Sequence, residues 1–337
     1  MSPPSADARG PARVAIVGAT TADGARLREA LAAAGVPGAR VDLYAGGGEN
    51  GGDESGHDLA LGEYDDEPRV VLRPDLAEVA RHDVIFICQE GDVSRRIAAE
   101  IGPGSVVIDL LDCLPPEARP RRAPAPLGPG PTAQGDGGCF SVPHPLALLL
   151  TDLLQPLEPA FGIAEAAAVI VRPAADFGER GLDELREQTL RLLQFGAVPV
   201  ATFGRQLAFN LIPQHALPAG ERALESRIAR EVTALLGWHE PRLAVRLLVA
   251  PIFHGHGLHL RFRLVREASC PDVERLLHAS AGLADGVVTP LEAGERVAWA
   301  GLSQDGLGGF WVWAVCGEAP RRGAEQAVQL AARLRPL

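Results

Sequence analysis

Residues 14–24 read Val14-Ala15-Ile16-Val17-Gly18-Ala19-Thr20-Thr21-Ala22-Asp23-Gly24. The apolar, β-branched start is typical of a buried strand, and an alanine- and leucine-rich helical pattern follows over 24–34. A glycine turn between them exposes backbone N–H groups at a helix amino terminus, where an anion is stabilised. We predict a strand–turn–helix unit that can hold a pyrophosphate. The predicted contacts are Gly18, Ala19, Thr20, Thr21 and Gly24.

The pattern of short apolar runs continues outward from this unit as far as residue 110. Strands are predicted over 40–45, 69–72, 83–89 and 105–110, helices over 75–81 and 93–101, and a glycine- and acid-rich loop over 46–67. Strands that alternate with helices indicate βαβ units and a mostly parallel, doubly wound sheet. The sequence therefore predicts an α/β fold with a Rossmann-type dinucleotide-binding domain over residues 12–143.

The second half of the chain has a different pattern, beyond a Pro- and Gly-rich segment at 115–138 that is typical of a long surface loop. Helices are predicted over 183–195 and 221–236, strands over 242–252, 259–265, 296–300 and 309–316, and a closing helix over 324–334. Strands without regular intervening helices favour an antiparallel or mixed sheet with helices on one face. We predict an α+β domain over 144–317.

Composition excludes several classes of function. The net charge of −11 favours neither nucleic acid nor an anionic membrane as a partner. The five cysteines contain no CxxC pair, which argues against a disulfide framework or a cysteine zinc site. No apolar run reaches membrane-spanning length. We expect a cytoplasmic protein.

Two further motifs are similar to motifs of a known protein family. Residues 203–214 read Phe203-Gly204-Arg205-Gln206-Leu207-Ala208-Phe209-Asn210-Leu211-Ile212-Pro213-Gln214, and residues 251–256 read Pro251-Ile252-Phe253-His254-Gly255-His256. Together with residues 14–20 they resemble the aspartate-semialdehyde dehydrogenase family over residues 12–114 and 139–337. The similarity is greatest to the Usg-type branch, which lacks the catalytic cysteine motif.

The resemblance implies an architecture and an activity. It implies a Rossmann-type domain completed by the C-terminal helix at 318–337, an α+β dimerisation domain and a homodimer. The family reaction that it implies is the NADP-dependent interconversion of aspartyl phosphate and aspartate semialdehyde. That reaction needs a thiolate, because the nucleophile must attack an acyl or aldehyde carbon and then leave again.

The catalytic positions of the family are altered in this sequence. Pro145 stands where the resemblance places the cysteine, Arg172 where it places an orienting glutamine, and Val249 where it places the arginine that holds the substrate carboxylate. His256 matches the acid/base histidine. Arg172 could bind an anion or pair with an acidic side chain, and we favour the pairing. Glu225 and Arg227 match the charged pair on a helix of the dimerisation domain.

The nucleotide-binding positions also depart from the family pattern. Thr21 replaces a glycine and places a side chain where backbone should approach phosphate, and Asp23 adds negative charge. The segment 46–50 lacks an arginine that could hold a 2′-phosphate. Two interpretations stay open: binding of NADP or NAD, and a structural turn inherited without its ligand.

These departures favour a catalytically inactive homologue that acts as a dimeric binding or partner protein, associating with itself or with a true semialdehyde dehydrogenase. The alternative is an active NAD(P)-dependent oxidoreductase with a changed substrate and a changed active site. His254, His256 and His259 could start a metal site, but no carboxylate is near in sequence, so we predict none.

Overall fold

A computed structural model of the chain describes residues 10–45, 60–89, 91–101, 104–114, 138–218, 223–280, 283–294, 296–317 and 319–337. The chain divides into two compact units. The first comprises Met1–His144 with Pro320–Leu337, and the second comprises Pro145–Ala319. The predicted loop at 115–138 lies outside the described residues except for Gly138, which begins a strand.

The first unit is built on a seven-stranded, mostly parallel sheet. Its strands are β1 (Val14–Val17), β2 (Val41–Tyr44), β3 (Ala60–Tyr64), β4 (Glu67–Leu72), β5 (Val84–Ile87), β6 (Val106–Asp109) and β7 (Gly138–Ser141). The order across the sheet is β3-β4-β2-β1-β5-β6-β7. Its helices include α1 (Ala22–Ala33), α2 (Leu76–Val79) and α3 (Asp92–Glu100). This arrangement confirms the predicted α/β class and parallel sheet.

The central strands β1, β5 and β6 are apolar along almost their whole length because both faces of the sheet are covered. Alternate residues enter two separate cores, one on each face. One core includes the C-terminal helix Ala319–Leu334, which contributes Ala324, Ala327, Leu330 and Ala331. The helix therefore completes the first unit, although the whole second unit separates it in sequence from β7.

The predicted loop over 46–67 was wrong in its last part. Strands β3 and β4 pair antiparallel as a hairpin, from Ala60 opposite Val71 to Tyr64 opposite Glu67. Asp65 and Asp66 form the turn with φ of 54° and 60°. Two successive residues with positive φ match the twist of a two-residue hairpin, and aspartate tolerates this conformation. Residues 46–59 lie outside the described part.

The second unit contains a seven-stranded mixed sheet. Its strands are β8 (Ile163–Arg172), β9 (Ile212–Pro213), β10 (Leu243–Val249), β11 (His256–Leu264), β12 (Leu283–Asp285), β13 (Val297–Gln304) and β14 (Phe310–Cys316). The order is β12-β13-β14-β11-β8-β10-β9. Strand β8 pairs parallel with β10 and antiparallel with β11, so the predicted mixed sheet is confirmed.

The helices of the second unit are α4 (Pro145–Leu154), α5 (Glu158–Phe161), α6 (Gly178–Leu193), α7 (Leu224–Leu235), α8 (Cys270–Ala279) and α9 (Pro290–Ala293). Helices α4, α7 and α8 bury one face of the sheet in a single apolar core. On the opposite face, every second residue of β8 and β10 is exposed or half-buried. The open face of the sheet, as we call it, includes Val169, Arg246, His259 and Trp313. Within the described ranges, no helix has the length and apolar character needed to cross a membrane.

Candidate functional site

The turn after β1 is shaped by two glycines. Gly18 has φ of +85°, and a Cβ there would lie 2.7 Å from the Cβ of Gln89 and 3.0 Å from the carbonyl carbon of Cys88, so the turn passes directly over the end of β5. A Cβ on Gly24 would lie 2.2 Å from the Gly18 carbonyl oxygen. Glycine therefore lets α1 begin close against the turn. The Gly18 and Ala19 N–H groups both donate to the Tyr44 carbonyl, at 3.0 and 2.9 Å.

Thr21 points into the turn. Its hydroxyl donates to the Gly18 and Cys88 carbonyls, at 2.9 and 3.0 Å, and accepts from the Gly24 N–H at 3.1 Å. Thr21 is thus the N-cap of α1. The hydroxyl is turned towards β5, and the expectation that the Thr21 side chain hinders the approach of a phosphate stays a prediction.

The turn leaves backbone donors for a phosphate. Thr20 and Ala22 are exposed, and neither backbone N–H has a hydrogen-bond partner in the described part of the chain. These groups lie at the amino terminus of α1, where partial positive charge favours an anion. Asp23 lies in the first turn of α1, 3.5 Å from Arg26, which offsets its charge. The residues present therefore fit a pyrophosphate, whereas segment 46–50 lies outside the described residues.

Pro145 is the first residue of α4, where the fixed φ of proline favours a helix start. Proline carries neither a thiol nor a backbone N–H. From Leu146 onward α4 is almost wholly buried in the core of the second unit. Cys139 lies in β7 and is buried in a core of the first unit, so it remains a core thiol.

His256 lies in a buried polar cluster of the second unit. Its Nε2 is 3.1 Å from the Asp176 carboxylate, which also accepts from Arg172 Nε at 2.7 Å. Arg172 Nη1 donates to the Gln214 side-chain oxygen at 3.1 Å. The Arg172 guanidinium lies 4.9 Å from the centre of the Phe177 ring. We call Arg172, Asp176, Gln214 and His256 the buried cluster. The interpretation of Arg172 as the partner of an acid is confirmed.

The buried cluster comes from three parts of the fold. Arg172 ends β8, His256 begins β11, and Asp176 lies in a 3₁₀ turn, Ala174–Phe177, that follows β8. That turn is fixed because the Ala174 and Ala175 N–H groups donate to the Ile252 and Phe253 carbonyls, at 2.8 and 3.0 Å. The sequence analysis missed Asp176 because no motif marks an acid placed by a 3₁₀ turn.

The charges in the buried cluster balance one another. Burial by itself would raise the pKa of Asp176, but electrostatic attraction and hydrogen bonds from His256 and the Arg172 guanidinium outweigh it and hold the pKa well below its usual range. The second ring nitrogen of His256, Nδ1, is buried with no hydrogen-bond partner among the described residues. The Asp176 carboxylate therefore contacts Nε2, and Nδ1 makes no hydrogen bond within the described residues.

The other positions that the resemblance links to the family reaction make contacts within the second unit. Val249 is fully buried and pairs with Arg172 in the β8–β10 register. Glu225 accepts from the Leu247 N–H at 2.9 Å and pairs with Arg246. Arg227 Nε lies 2.8 Å from Glu231. The described side chains at these positions thus serve contacts within the unit.

A thiol that the sequence analysis overlooked lies beside His256. Cys316 is the direct partner of His256 in the β11–β14 register, and its side chain is fully buried in the helix-covered core. Residues directly opposite in antiparallel strands have Cβ atoms about 5 Å apart. The pairing can be recognised only after the register is known, because 60 residues separate the two in sequence.

The three histidines are separated by the fold. His254 precedes β11, and His259 lies on the open face, 4.8 Å between ring centres from Trp313. Because His254 lies outside β11, it does not share a strand face with His256. The described residues contain no group of three histidine, cysteine or acidic side chains placed to hold a metal ion.

Comparisons with known proteins agree with the two-unit architecture. The family models described as "Semialdehyde dehydrogenase, NAD binding domain" and "Semialdehyde dehydrogenase, dimerisation domain" match residues 13–112 and 154–296. A USG-1 protein homolog from Pseudomonas aeruginosa is 30% identical over 279 residues, which cover 81% of this chain and 80% of that protein. An aspartate-semialdehyde dehydrogenase from Rickettsia bellii is 29% identical over 44% of this chain and 43% of its own.

The fold is also found among solved structures. The structure described as a probable aspartate-semialdehyde dehydrogenase from Pseudomonas aeruginosa has a TM-score of 0.76 and 25% identity, covering 96% of this chain and 98% of its own. Both domain models and a relative that spans most of the chain therefore agree. The chain belongs to the aspartate-semialdehyde dehydrogenase family and, within it, to the USG-1-like branch.

Proposed function

We propose that this chain is a dimeric, dinucleotide-binding member of its family that does not catalyse the interconversion of aspartyl phosphate and aspartate semialdehyde. One observation carries the proposal: Pro145, at the position that the resemblance assigns to the nucleophile, has no group that can form a thioester. Val249 at the arginine position supports it, since valine cannot hold a carboxylate.

The family reaction provides the direct test. The purified protein is incubated with aspartate semialdehyde, phosphate and NADP, and NADPH formation is followed by absorbance. We expect no turnover above a heat-inactivated control. Turnover that is lost in His256→Ala would contradict the proposal and favour the alternative of an active oxidoreductase with a changed active site.

One observation favours that alternative, namely the pairing of Cys316 with His256. A thiol beside an imidazole is the arrangement that activates a cysteine nucleophile. Its complete burial is typical of an inert core thiol. In the same assay, Cys316→Ser distinguishes an inactive protein from an active oxidoreductase. Cys139→Ser is the matched buried-thiol control. An active enzyme would lose turnover in Cys316→Ser and keep it in Cys139→Ser.

Dinucleotide binding is proposed at the turn between β1 and α1. The exposed N–H groups of Thr20 and Ala22 would hold the pyrophosphate at the amino terminus of α1. A bound nicotinamide ring would supply a hydride acceptor or donor, and this chain would contribute binding and orientation. We expect a saturable rise in melting temperature with NAD or NADP.

The matched variants for this test place a carboxylate at either end of α1. Ala22→Glu puts negative charge beside the pyrophosphate, and we expect its affinity to fall by roughly tenfold or more. Ala33→Glu, at the exposed far end of the helix, should leave affinity unchanged. An absence of any nucleotide-dependent shift in the unsubstituted protein would instead support a structural turn.

Dimerisation is proposed on the open face of the second unit. Arg246, Val169, His259 and Trp313 form one row across four strands, because each is the register partner of the next. The row is spaced at about 4.8 Å per strand. Val169 is 39% exposed, and Trp313 is held in place by donating its Nε1–H to the Val288 carbonyl at 2.8 Å. The row therefore ends in a cation on one side and an indole on the other.

A second copy of this chain fits such a row. A two-fold axis parallel to the strands, between Val169 and His259, would place Arg246 of each copy over Trp313 of the other. Tryptophan is the best aromatic partner of a cation, and the two contacts would be equivalent by symmetry. A true semialdehyde dehydrogenase is the alternative occupant of this face. Isolation of a stable homodimer from the chain expressed alone favours the second copy.

A further inference from the structure

The buried cluster has the composition of a carboxylate-binding site. Arg172 Nε and His256 Nε2 both face one carboxylate, at 2.7 and 3.1 Å. Gln214 accepts from another nitrogen of the same guanidinium, and the Phe177 ring lies against it, which together fix the guanidinium plane. Two cationic or proton-donating groups on one carboxylate, held by an amide and an aromatic ring, are what a protein uses to bind a carboxylate ligand.

The carboxylate in this site belongs to the protein itself. Asp176 is 9% exposed in its side chain, and Arg172 is 5% exposed, so the pair is closed to solvent. The 3₁₀ turn that carries Asp176 is fixed on one side by the hydrogen bonds to residues 252 and 253. On its other side α6 packs so closely that a Cβ on Gly181 would lie 2.4 Å from the Ala174 carbonyl oxygen. These contacts hold Asp176 between Arg172 and His256.

We propose that Arg172, Gln214 and His256 form a carboxylate-binding site whose ligand is Asp176 of the same chain, and that this internal ligand closes the site to free carboxylates. The proposal goes beyond the absence of a nucleophile at Pro145. In this arrangement the buried cluster has the capacity to bind a carboxylate, and the Asp176 side chain uses it. It does not depend on whether a dinucleotide binds at the first unit.

The test removes the internal ligand and supplies a small one. Asp176→Ala removes the carboxylate between Arg172 and His256, and we expect the melting temperature to fall by roughly 6–20 °C. Sodium formate or acetate should restore part of that loss with a saturable dependence on concentration, whereas sodium chloride at the same ionic strength should not. The unsubstituted protein should show no formate-specific shift, because its site is filled.

Two matched variants show whether a formate response requires the vacated site. Asp176→Asn keeps the shape of the side chain and should lose stability without responding to formate, since no space is vacated. Asp305→Ala removes a carboxylate that accepts from Arg261 Nε at 2.8 Å, outside the buried cluster, and should also show no formate response. A folded Asp176→Ala protein that ignores formate and acetate would overturn the proposal, and so would an equal response in the unsubstituted protein.

A further variant decides the outcome if Asp176→Ala does not fold. Replacing Arg172 and Asp176 together, as Arg172→Gln with Asp176→Ala, removes the guanidinium along with the Asp176 carboxylate. We expect this double variant to fold and to show no formate response. If it also failed to fold, the instability would not come from a guanidinium that has lost the Asp176 carboxylate, and the proposal would be wrong.

Discussion

In each unit, one side chain makes several of the hydrogen bonds that shape the candidate site. In the first unit, the Thr21 hydroxyl accepts from the Gly24 N–H, while the Thr20 and Ala22 N–H groups have no hydrogen-bond partner among the described residues. In the second unit, Asp176 engages Arg172 and His256 together. Each residue satisfies buried or terminal polar groups that would otherwise be costly.

The N-cap role of Thr21 leads to a local prediction. Thr21→Val removes the hydroxyl while keeping the side-chain shape, and we expect it to destabilise the start of α1 by about 1 kcal/mol. Hydrogen exchange measured by mass spectrometry should then be faster in the α1 peptides. Thr21→Ser retains the hydroxyl and is the control; equal protection in both variants would contradict the N-cap assignment.

Asp176 leads to a prediction about pH. Because its pKa in the folded protein lies below the ordinary value of 3.8, its contribution to stability is fully present above that pH and is lost as the pH falls towards the folded value. The difference in free energy of unfolding between the unsubstituted protein and Asp176→Asn should be about 3–5 kcal/mol at pH 5 and should shrink as the pH falls below about 4. Urea titrations across this range provide the measurement; a difference that grows on acidification would contradict it.

At the scale of elements, α6 organises the long segment that carries the family motif. Gln188 is fully buried and accepts from the Leu207 and Ala208 N–H groups, at 2.7 and 2.9 Å, while donating to the Pro199 carbonyl at 2.7 Å. One turn earlier, Glu184 accepts from the Thr202 and Phe203 N–H groups. The motif is thus held as an irregular segment by two side chains of one helix.

Gln188→Leu should release this segment. The substitution leaves two buried N–H groups unsatisfied, and we expect a loss of about 2–5 kcal/mol together with faster proteolysis between residues 199 and 211. Glu187→Gln, at the neighbouring exposed position, breaks a surface ion pair with Arg191 and should change neither. Unchanged proteolysis in Gln188→Leu would show that other contacts hold the segment.

The elements that could be predicted from sequence are those whose local pattern and burial agree. Strands β1, β5 and β6 are buried on both faces and therefore appear as continuous apolar runs. Strand β8 was missed, because its alanine-rich sequence, Ala164-Glu165-Ala166-Ala167-Ala168, suits a helix equally well. Only pairing with β10 and β11 fixes it as a strand.

The candidate site, too, could be predicted only where its residues belong to a local sequence motif. His256 and the turn from Gly18 to Gly24 are marked by short motifs, so the sequence could point to both. Asp176 and Cys316 acquire their positions next to His256 through a 3₁₀ turn and a strand register, which join residues far apart in the chain. No local pattern carries that information.

At the scale of the whole molecule, the proposed dimer predicts a change in oligomeric state. Val169→Glu places a charge in the middle of the row from Arg246 to Trp313, and we expect it to convert a dimer into monomers in sedimentation or light-scattering measurements. Leu61→Glu, at a position of β3 in the first unit that is 75% exposed, should remain dimeric. A dimer that survives Val169→Glu would place the interface elsewhere.

The division of the first unit between two distant chain segments has a consequence for biosynthesis. All strands of its sheet lie before residue 144 in the chain. The helix that begins at Ala319 is completed only after the 175 residues of Pro145–Ala319 have been translated. At typical elongation rates the nascent sheet waits roughly 10–30 s with part of one apolar face uncovered. The later-synthesised unit can therefore finish folding first, and the emerging polypeptide presents during that interval the kind of surface that chaperones recognise.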